Sequence, residues 1–151
     1  MRDFHLPGRS SVFASNGMCA TSNPLASKVA ISILEQGGNA VDAAIAGGIL
    51  LGICEPQMTG LYGDMFALIS HPDQKGIIGL NGSGRSPAAL NANFLRSNGE
   101  TKIAANSPHS ITMPGAVIAL ETLANDFSRL GLAEACNPAI HYAEYGIPVA
   151  P

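Results

Sequence analysis

A mixed α/β (α+β) fold, helices gathered around a short hairpin, is what this sequence predicts, and three observations carry it. Residues 24 to 54 read as two consecutive helices joined by a glycine turn. Residues 65 to 81 hold two short apolar runs separated by turn-forming residues, the pattern of a β-hairpin. Further on, apolar residues recur at intervals of three and four, which marks amphipathic helices.

In the helix pair, Asn23 followed by Pro24 is a strong start, since asparagine caps a helix and proline is tolerated in its first turn. Leu25, Val29 and Ile33, with Ala26, Ala30 and Leu34, mark one face, and Gly37 ends the helix in the left-handed conformation. The second helix, Asn39 to Cys54, has Asn39 as its cap, Asp42 where a carboxylate can reach back to that cap, and Pro56 as a stop. From Ala43 to Cys54 its only polar side chain is a thiol, so it is expected to be covered on every face. Gly47, Gly48 and Gly52 each weaken a helix by about 1 kcal/mol relative to alanine, which points to close approach by neighbouring elements. The run is too short to span a bilayer, which takes about 20 apolar residues.

Residues 1–16 read as an N-terminal arm with a short strand around Val12 and Phe13, and residues 17–151 as a single domain. Gly17–Thr21 reads as a short buried strand. A glycine-bearing loop then leads into the hairpin, Met65–Ile69 and Ile77–Leu80 around the turn residues His71–Gly76. Asn81–Pro87 is a glycine-rich segment, and residues 91–110 read as a short helix within a surface excursion. Val117, Leu120, Leu123, Phe127 and Leu130 predict an amphipathic helix closed by Gly131, and Asn137–Pro138 predicts the start of another that runs to Gly146. One lone strand, a hairpin and four helices do not close a sheet. The domain is therefore expected to be incomplete, with apolar faces meant for further strands and a tendency to associate.

Composition narrows the function. With 46% hydrophobic residues the 151-residue chain has material for a core. Charged residues make up 13%, well below the roughly 25% of ordinary soluble domains, so much of its surface is expected to lie against something else. The net charge of -3 contains no basic run, which excludes a nucleic-acid face. Cys19, Cys54 and Cys136 have no Cys-x-x-Cys spacing and read as buried free thiols of a reducing compartment. Without an apolar signal run at the N-terminus, the expected location is cytoplasmic, with no membrane association.

For chemistry, the four histidines, at 5, 71, 109 and 141, show no helical metal spacing, no serine stands in a Gly-x-Ser-x-Gly frame, and the glycine groups lack a Walker lysine. No metal or cofactor is expected. Arg85 stands out, because a guanidinium on a glycine-rich backbone presents a fork that fits a carboxylate bidentately. An ion pair with a core or interface acid is the structural alternative. Asp64, at the mouth of the first hairpin strand, could likewise orient a site group or cap a loop.

Several stretches, taken together, resemble the gamma-glutamyltransferase family. They are Gly17-Met18-Cys19-Ala20-Thr21-Ser22-Asn23-Pro24-Leu25-Ala26-Ser27, Gln36-Gly37-Gly38-Asn39-Ala40-Val41-Asp42-Ala43-Ala44, Glu55-Pro56 with Gly60, Arg85 with Pro87, Pro114-Gly115, Pro138-Ala139-Ile140 and Ala143-Glu144-Tyr145-Gly146-Ile147-Pro148-Val149. The resemblance implies an N-terminal-nucleophile hydrolase fold, an α-β-β-α sandwich formed when a precursor cleaves itself into a large and a small subunit. It places the helix from Asn39 in an outer helical layer against the sheet. In that family the new N-terminal threonine of the small subunit attacks a γ-glutamyl amide, its own amine acts as base, and the acyl group passes to water or an amine.

The match is to the first part of the large subunit only. None of the threonines at 21, 59, 101, 112 and 122 is followed by the Thr-His type of sequence that marks the cleavage point, so no catalytic residue is expected in this chain. Arg85 aligns with the large-subunit arginine that grips the α-carboxylate of the γ-glutamyl group. Two departures, Leu61-Tyr62-Gly63-Asp64 in place of a glycine run and Ser86 in place of an acid, resemble the branch containing amidohydrolases and acylases. Asp64 and Ser86 are thus candidates to line the site. The implied partners are the rest of the same precursor and a small amide substrate bearing a carboxylate. The leading expectation is a γ-glutamyl transferase or hydrolase fragment, inactive alone. A related enzyme for another amide, such as oxamate or an acylated amine, and a non-catalytic binding module are the alternatives.

Overall fold

The computed structural model describes residues 11–149. Helix α1 spans Pro24–Glu35 and α2 Ala40–Cys54; β1 is Met65–Ser70 and β2 Ile77–Gly82; α3 is Ala92–Ser97, α4 Ala116–Phe127 and α5 Leu132–Tyr145, with a short 3-10 turn at Pro108–Ser110. The strands form an antiparallel pair in which Met65 faces Gly82 and Ser70 faces Ile77.

The first helix starts and stops for the expected reasons. The Asn23 side chain accepts from Leu25 N–H, and Gly37, at φ +92°, reverses the chain so that its N–H and that of Gly38 reach Leu34 and Ile33 carbonyls. A capping box opens α2: the Asn39 side chain accepts from Val41 and Asp42 N–H, and the Asp42 carboxylate accepts from Asn39 N–H at 2.8 Å. Gly47 lies 3.5 Å from both the Ala26 carbonyl and the Ala30 methyl, and Gly52 lies 3.4 Å from Gly60, each distance measured from where a Cβ would stand. Both are ordinary van der Waals distances, so a methyl group would fit at either position and neither glycine is required for close approach. Gly48 meets nothing within 4 Å, contrary to expectation.

The cover around α2 also differs from expectation. Ala44 and Gly48, one turn apart, are exposed, so one line of the helix is open among the described residues. Leaving these small residues in water forfeits little, whereas Ile45, Ile49 and Leu50 are buried. Nor does α2 lie chiefly on the sheet. It packs between α1 and α5, with α4 next, while α4 is the helix that touches both strands.

Asp42 does more than complete a cap. Its side chain is fully buried and also accepts from Ser128 Oγ and from the Arg129 and Leu130 N–H groups, each at 3.1 Å, while Asn39 Nδ2 donates to the Phe127 carbonyl. Burial by itself pushes its carboxyl up. The bonds from Ser128 and from the Asn39, Arg129 and Leu130 backbone outweigh that and hold it below its ordinary value. This knot draws residues 128–130 into a turn. It ends α4 at Phe127 rather than letting the helix run to Leu130, and Val117 is half exposed instead of buried.

Three further expectations are corrected. Gly17–Thr21 and Val12–Phe13 are not strands, because no neighbouring strand among the described residues supplies a ladder. The last helix begins at Leu132, not Asn137, and Gly131, at φ +85°, opens it. Proline inside a helix costs about 3 kcal/mol, but Ala135, Cys136, Ala139 and Tyr142 form one face that packs in the core, and that burial carries the helix through Pro138. The cysteines are half-buried rather than buried; burial, aided at Cys54 by the Glu55 carboxylate, pushes the Cys54 and Cys136 thiols up.

The hairpin has two unlike faces. Ile69 is buried and Met65, Ala67, Ile78 and Leu80 pack against the core, whereas the alternate residues Phe66, Leu68 and Ile77 are 66%, 83% and 65% exposed. The described residues thus supply one helical layer and one β layer whose outer face is apolar and open. Most of the predicted N-terminal arm, residues 1–10 with His5, lies outside the described residues. From 11 to 16 the arm is coil, with Val12 and Phe13 exposed.

Candidate functional site

Three segments meet at one end of the hairpin. The antiparallel register sets the start of β1 beside the end of β2, and the chain entering α4 crosses both. Gly115, the cap residue of α4, has no side chain to satisfy the first amides of the helix. The Gly63 carbonyl does so instead, accepting from Gly115 N–H at 3.1 Å and Ala116 N–H at 3.0 Å. The loop before β1 thereby becomes the cap of α4.

The glycines at this crossing are needed for space. A Cβ on Gly82 would stand 2.5 Å from the Ala119 methyl, one on Gly84 would overlap the Met113 carbonyl and lie 2.7 Å from Thr112 Oγ1, and one on Gly115 would overlap the Gly82 carbonyl. Backbone therefore lies directly on backbone. The Arg85 carbonyl accepts from Met113 N–H at 2.9 Å, and Asp64 Oδ1 accepts from Gly84 N–H at 2.7 Å and from the Thr112 hydroxyl at 3.1 Å.

Arg85 and Ser86 follow directly and are exposed, as is Asp64. Asp64 is brought against the segment that carries Arg85, a link across twenty positions of sequence, and its recorded partners are Gly84 and Thr112. Thr112 and Met113 did not stand out in the sequence as site residues. Only the Pro114-Gly115 pair beside them hinted that the segment mattered.

Other features lie away from this crossing. A groove of about 820 Å³ runs along the free edge of β1, between Ala40, Val41 and Ala44 on one side and Leu123 and Phe127 on the other; neither Arg85 nor Asp64 lines it. Among the described residues no group of three or more His, Cys, Asp or Glu side chains could hold a metal ion, and no helix is long and apolar enough to cross a membrane. His71 lies near Phe127, His109 near Phe94, and His141 stacks with Tyr145, so these imidazoles are in three separate places.

Comparison with known proteins gives a consistent answer. The glutathione hydrolase-like YwrD proenzyme of Bacillus subtilis (strain 168) is 38% identical over 141 residues, 93% of this chain and 26% of that protein. The oxamate amidohydrolase proenzyme of Klebsiella pneumoniae is 35% identical over 147 residues, again 93% of this chain and 27% of that one. Among solved structures, the cephalosporin acylase from Bacillus halodurans superposes on 99% of this chain and 28% of its own length, with a TM-score of 0.87 and 41% identity. The chain spans about a quarter of the length of these relatives. The architecture is that of their N-terminal-nucleophile hydrolase family, and the family model Gamma-glutamyltranspeptidase matches residues 26–151. This chain belongs to the gamma-glutamyltranspeptidase family.

Proposed function

We propose that this chain supplies the carboxylate-binding part of an N-terminal-nucleophile enzyme that transfers or hydrolyses γ-glutamyl amides, with Arg85 as the clamp. The observation that carries the reading is the mounting of Arg85: an exposed residue whose own carbonyl and whose preceding Gly84 amide are tied to two other segments. A carboxylate held by two parallel N–H bonds from a guanidinium orients the substrate as well as binding it. The amide carbonyl is then presented to a threonine nucleophile contributed by a part of the precursor outside these residues, and the acyl group passes to water or an amine. In this reading the 151-residue chain is inactive alone, and the rest of the precursor covers the open face of the hairpin.

The test is hydrolysis of γ-glutamyl-p-nitroanilide by the complete precursor after self-cleavage. Arg85→Ala is expected to lower kcat/KM by roughly 100-fold, the scale for losing a charge-assisted pair in a binding site, mostly through KM. Full activity in that variant would overturn the assignment.

A second reading keeps the clamp and changes the amide. It is favoured by Asp64 and Ser86, which depart from the transferase pattern, and by similarity to proteins named as an oxamate amidohydrolase and a cephalosporin acylase. Turnover of γ-glutamyl anilides, oxamate and acylated amines, compared side by side, separates the two readings.

A further inference from the structure

We propose that Asp64, assisted by Thr112, is a positioning residue for Arg85: it fixes the backbone from which the guanidinium is presented. This rests on the reading of Arg85 as a carboxylate clamp.

The backbone is held from a different direction on each side of Arg85, at the amide of the preceding Gly84 and at the carbonyl of Arg85 itself. On the N-terminal side, Gly84 N–H donates to Asp64 Oδ1 at 2.7 Å. On the C-terminal side, the Arg85 carbonyl accepts from Met113 N–H at 2.9 Å. The same Asp64 oxygen accepts from the Thr112 hydroxyl at 3.1 Å, so one atom joins the segment before Arg85 to the segment that holds its carbonyl. The mount is itself anchored, because the Gly63 carbonyl beside Asp64 caps the first turn of α4.

Such a device is needed beyond the end of β2: Gly82 is still paired with Met65 and packed on Ala119, and from Ser83 onward the strand ladder no longer holds the chain. Glycine ranges over more backbone conformations than any other residue, and a segment Gly-Ser-Gly-Arg with no side-chain ties would scatter the arginine over many directions. A bidentate guanidinium–carboxylate contact tolerates little scatter, and misplacement by about 1 Å is enough to cost a large part of its effect. Overlap of any Cβ at 84 with the Met113 carbonyl explains why glycine is nevertheless required there. The carboxylate thus supplies from outside the rigidity that glycine cannot supply from within.

Asp64 is exposed, so water can satisfy Gly84 N–H and the Thr112 hydroxyl when the carboxylate is removed, and the variant is expected to fold. The experiment uses the self-cleaved complete precursor with γ-glutamyl-p-nitroanilide, or with oxamate if the wild type turns over only that. Asp64→Ala is expected to raise KM about 10-fold while kcat moves less than about threefold, the split that marks lost binding rather than lost chemistry. Asp64→Asn retains an Oδ1 acceptor and is expected to restore KM to within about threefold of wild type. Thr112→Val, which removes one of the two bonds, is expected to raise KM about threefold.

The double variant separates positioning from general damage. In an Arg85→Ala background, Asp64→Ala is expected to change kcat/KM by less than about twofold, because its effect passes through the missing guanidinium. An equal loss in both backgrounds, or an unchanged KM in Asp64→Ala beside an impaired Arg85→Ala, overturns the positioning role and leaves the clamp standing. An unchanged KM in Arg85→Ala overturns the clamp and the positioning role together.

Discussion

Asp42 and Asp64 are both carboxylates that stitch together segments far apart in sequence, but one is sealed in the core and the other stands in water. Asp42 gathers four donors, the Asn39, Arg129 and Leu130 amides and the Ser128 hydroxyl, across a separation of up to 88 residues. Asp64 gathers two, from Gly84 and Thr112. Where water is excluded, each donor that loses its acceptor forfeits a full desolvation cost; where water has access, it simply changes partner. The same chemical device therefore stabilises the scaffold at Asp42 and sets geometry at Asp64. A site residue can be held in place without making the fold depend on it.

The contrast can be broken most directly at the buried end. Asp42→Ala strands several buried donors and is expected to destabilise the fold by roughly 3 kcal/mol or more, read from urea denaturation followed by circular dichroism. Asp42→Asn, which keeps one acceptor oxygen, should cost less, about 2 kcal/mol. A cost below about 0.5 kcal/mol for both, typical of surface positions, would remove the distinction between the two acids.

Acid sharpens the same point. The folded state holds the Asp42 carboxyl below its ordinary value of 3.8, so the unfolded chain binds the proton first as pH falls. Its contribution is fully present above that ordinary value and is lost as pH drops from there through the lower folded value. Denaturation midpoints measured at neutral pH and below about pH 4 should converge between wild type and Asp42→Asn at the acid end.

At the exposed end, Gly84→Ala tests space rather than charge. The methyl group would overlap the Met113 carbonyl, so the two segments must part, at an expected cost of about 1–3 kcal/mol together with loss of the Asp64–Gly84 bond. Thermal melting reads the first effect and KM the second. The smallest effect on stability is expected at Leu68, 83% exposed on the open face of the hairpin. Leu68→Ser should leave the melting temperature of the chain nearly unchanged, within about 0.5 kcal/mol, while reducing self-association measured by sedimentation velocity. If association persists undiminished, the open sheet face is not its cause.

Much of the scaffold was legible from local chemistry. Asn23-Pro24, the Asn39–Asp42 box, Gly37 and the two apolar runs on either side of the hairpin turn each act within a few residues, and each appears where the sequence places it. The misreadings came where distant groups decide. Pro138 looked like a helix start, but packing of Ala135 and Ala139 carries α5 through it; Leu130 looked helical, but Asp42 pulls its amide into a turn. At the site, Arg85 stood out because its neighbours are glycines. The bonds from Asp64 to Gly84 and Thr112 span 20 and 48 positions, and no local pattern announces them.

The sequence by itself determined the helix pair, the hairpin and, through a series of short motifs, the family. These rest on short-range capping, turn and periodicity rules, which are properties of the chain before it folds. The tertiary structure alone decided which face of the hairpin is open, what Asp42 holds, and how the backbone around Arg85 is fixed. Those depend on contacts between segments whose approach is set by glycines and buried donors, and such contacts exist only once the chain has closed on itself.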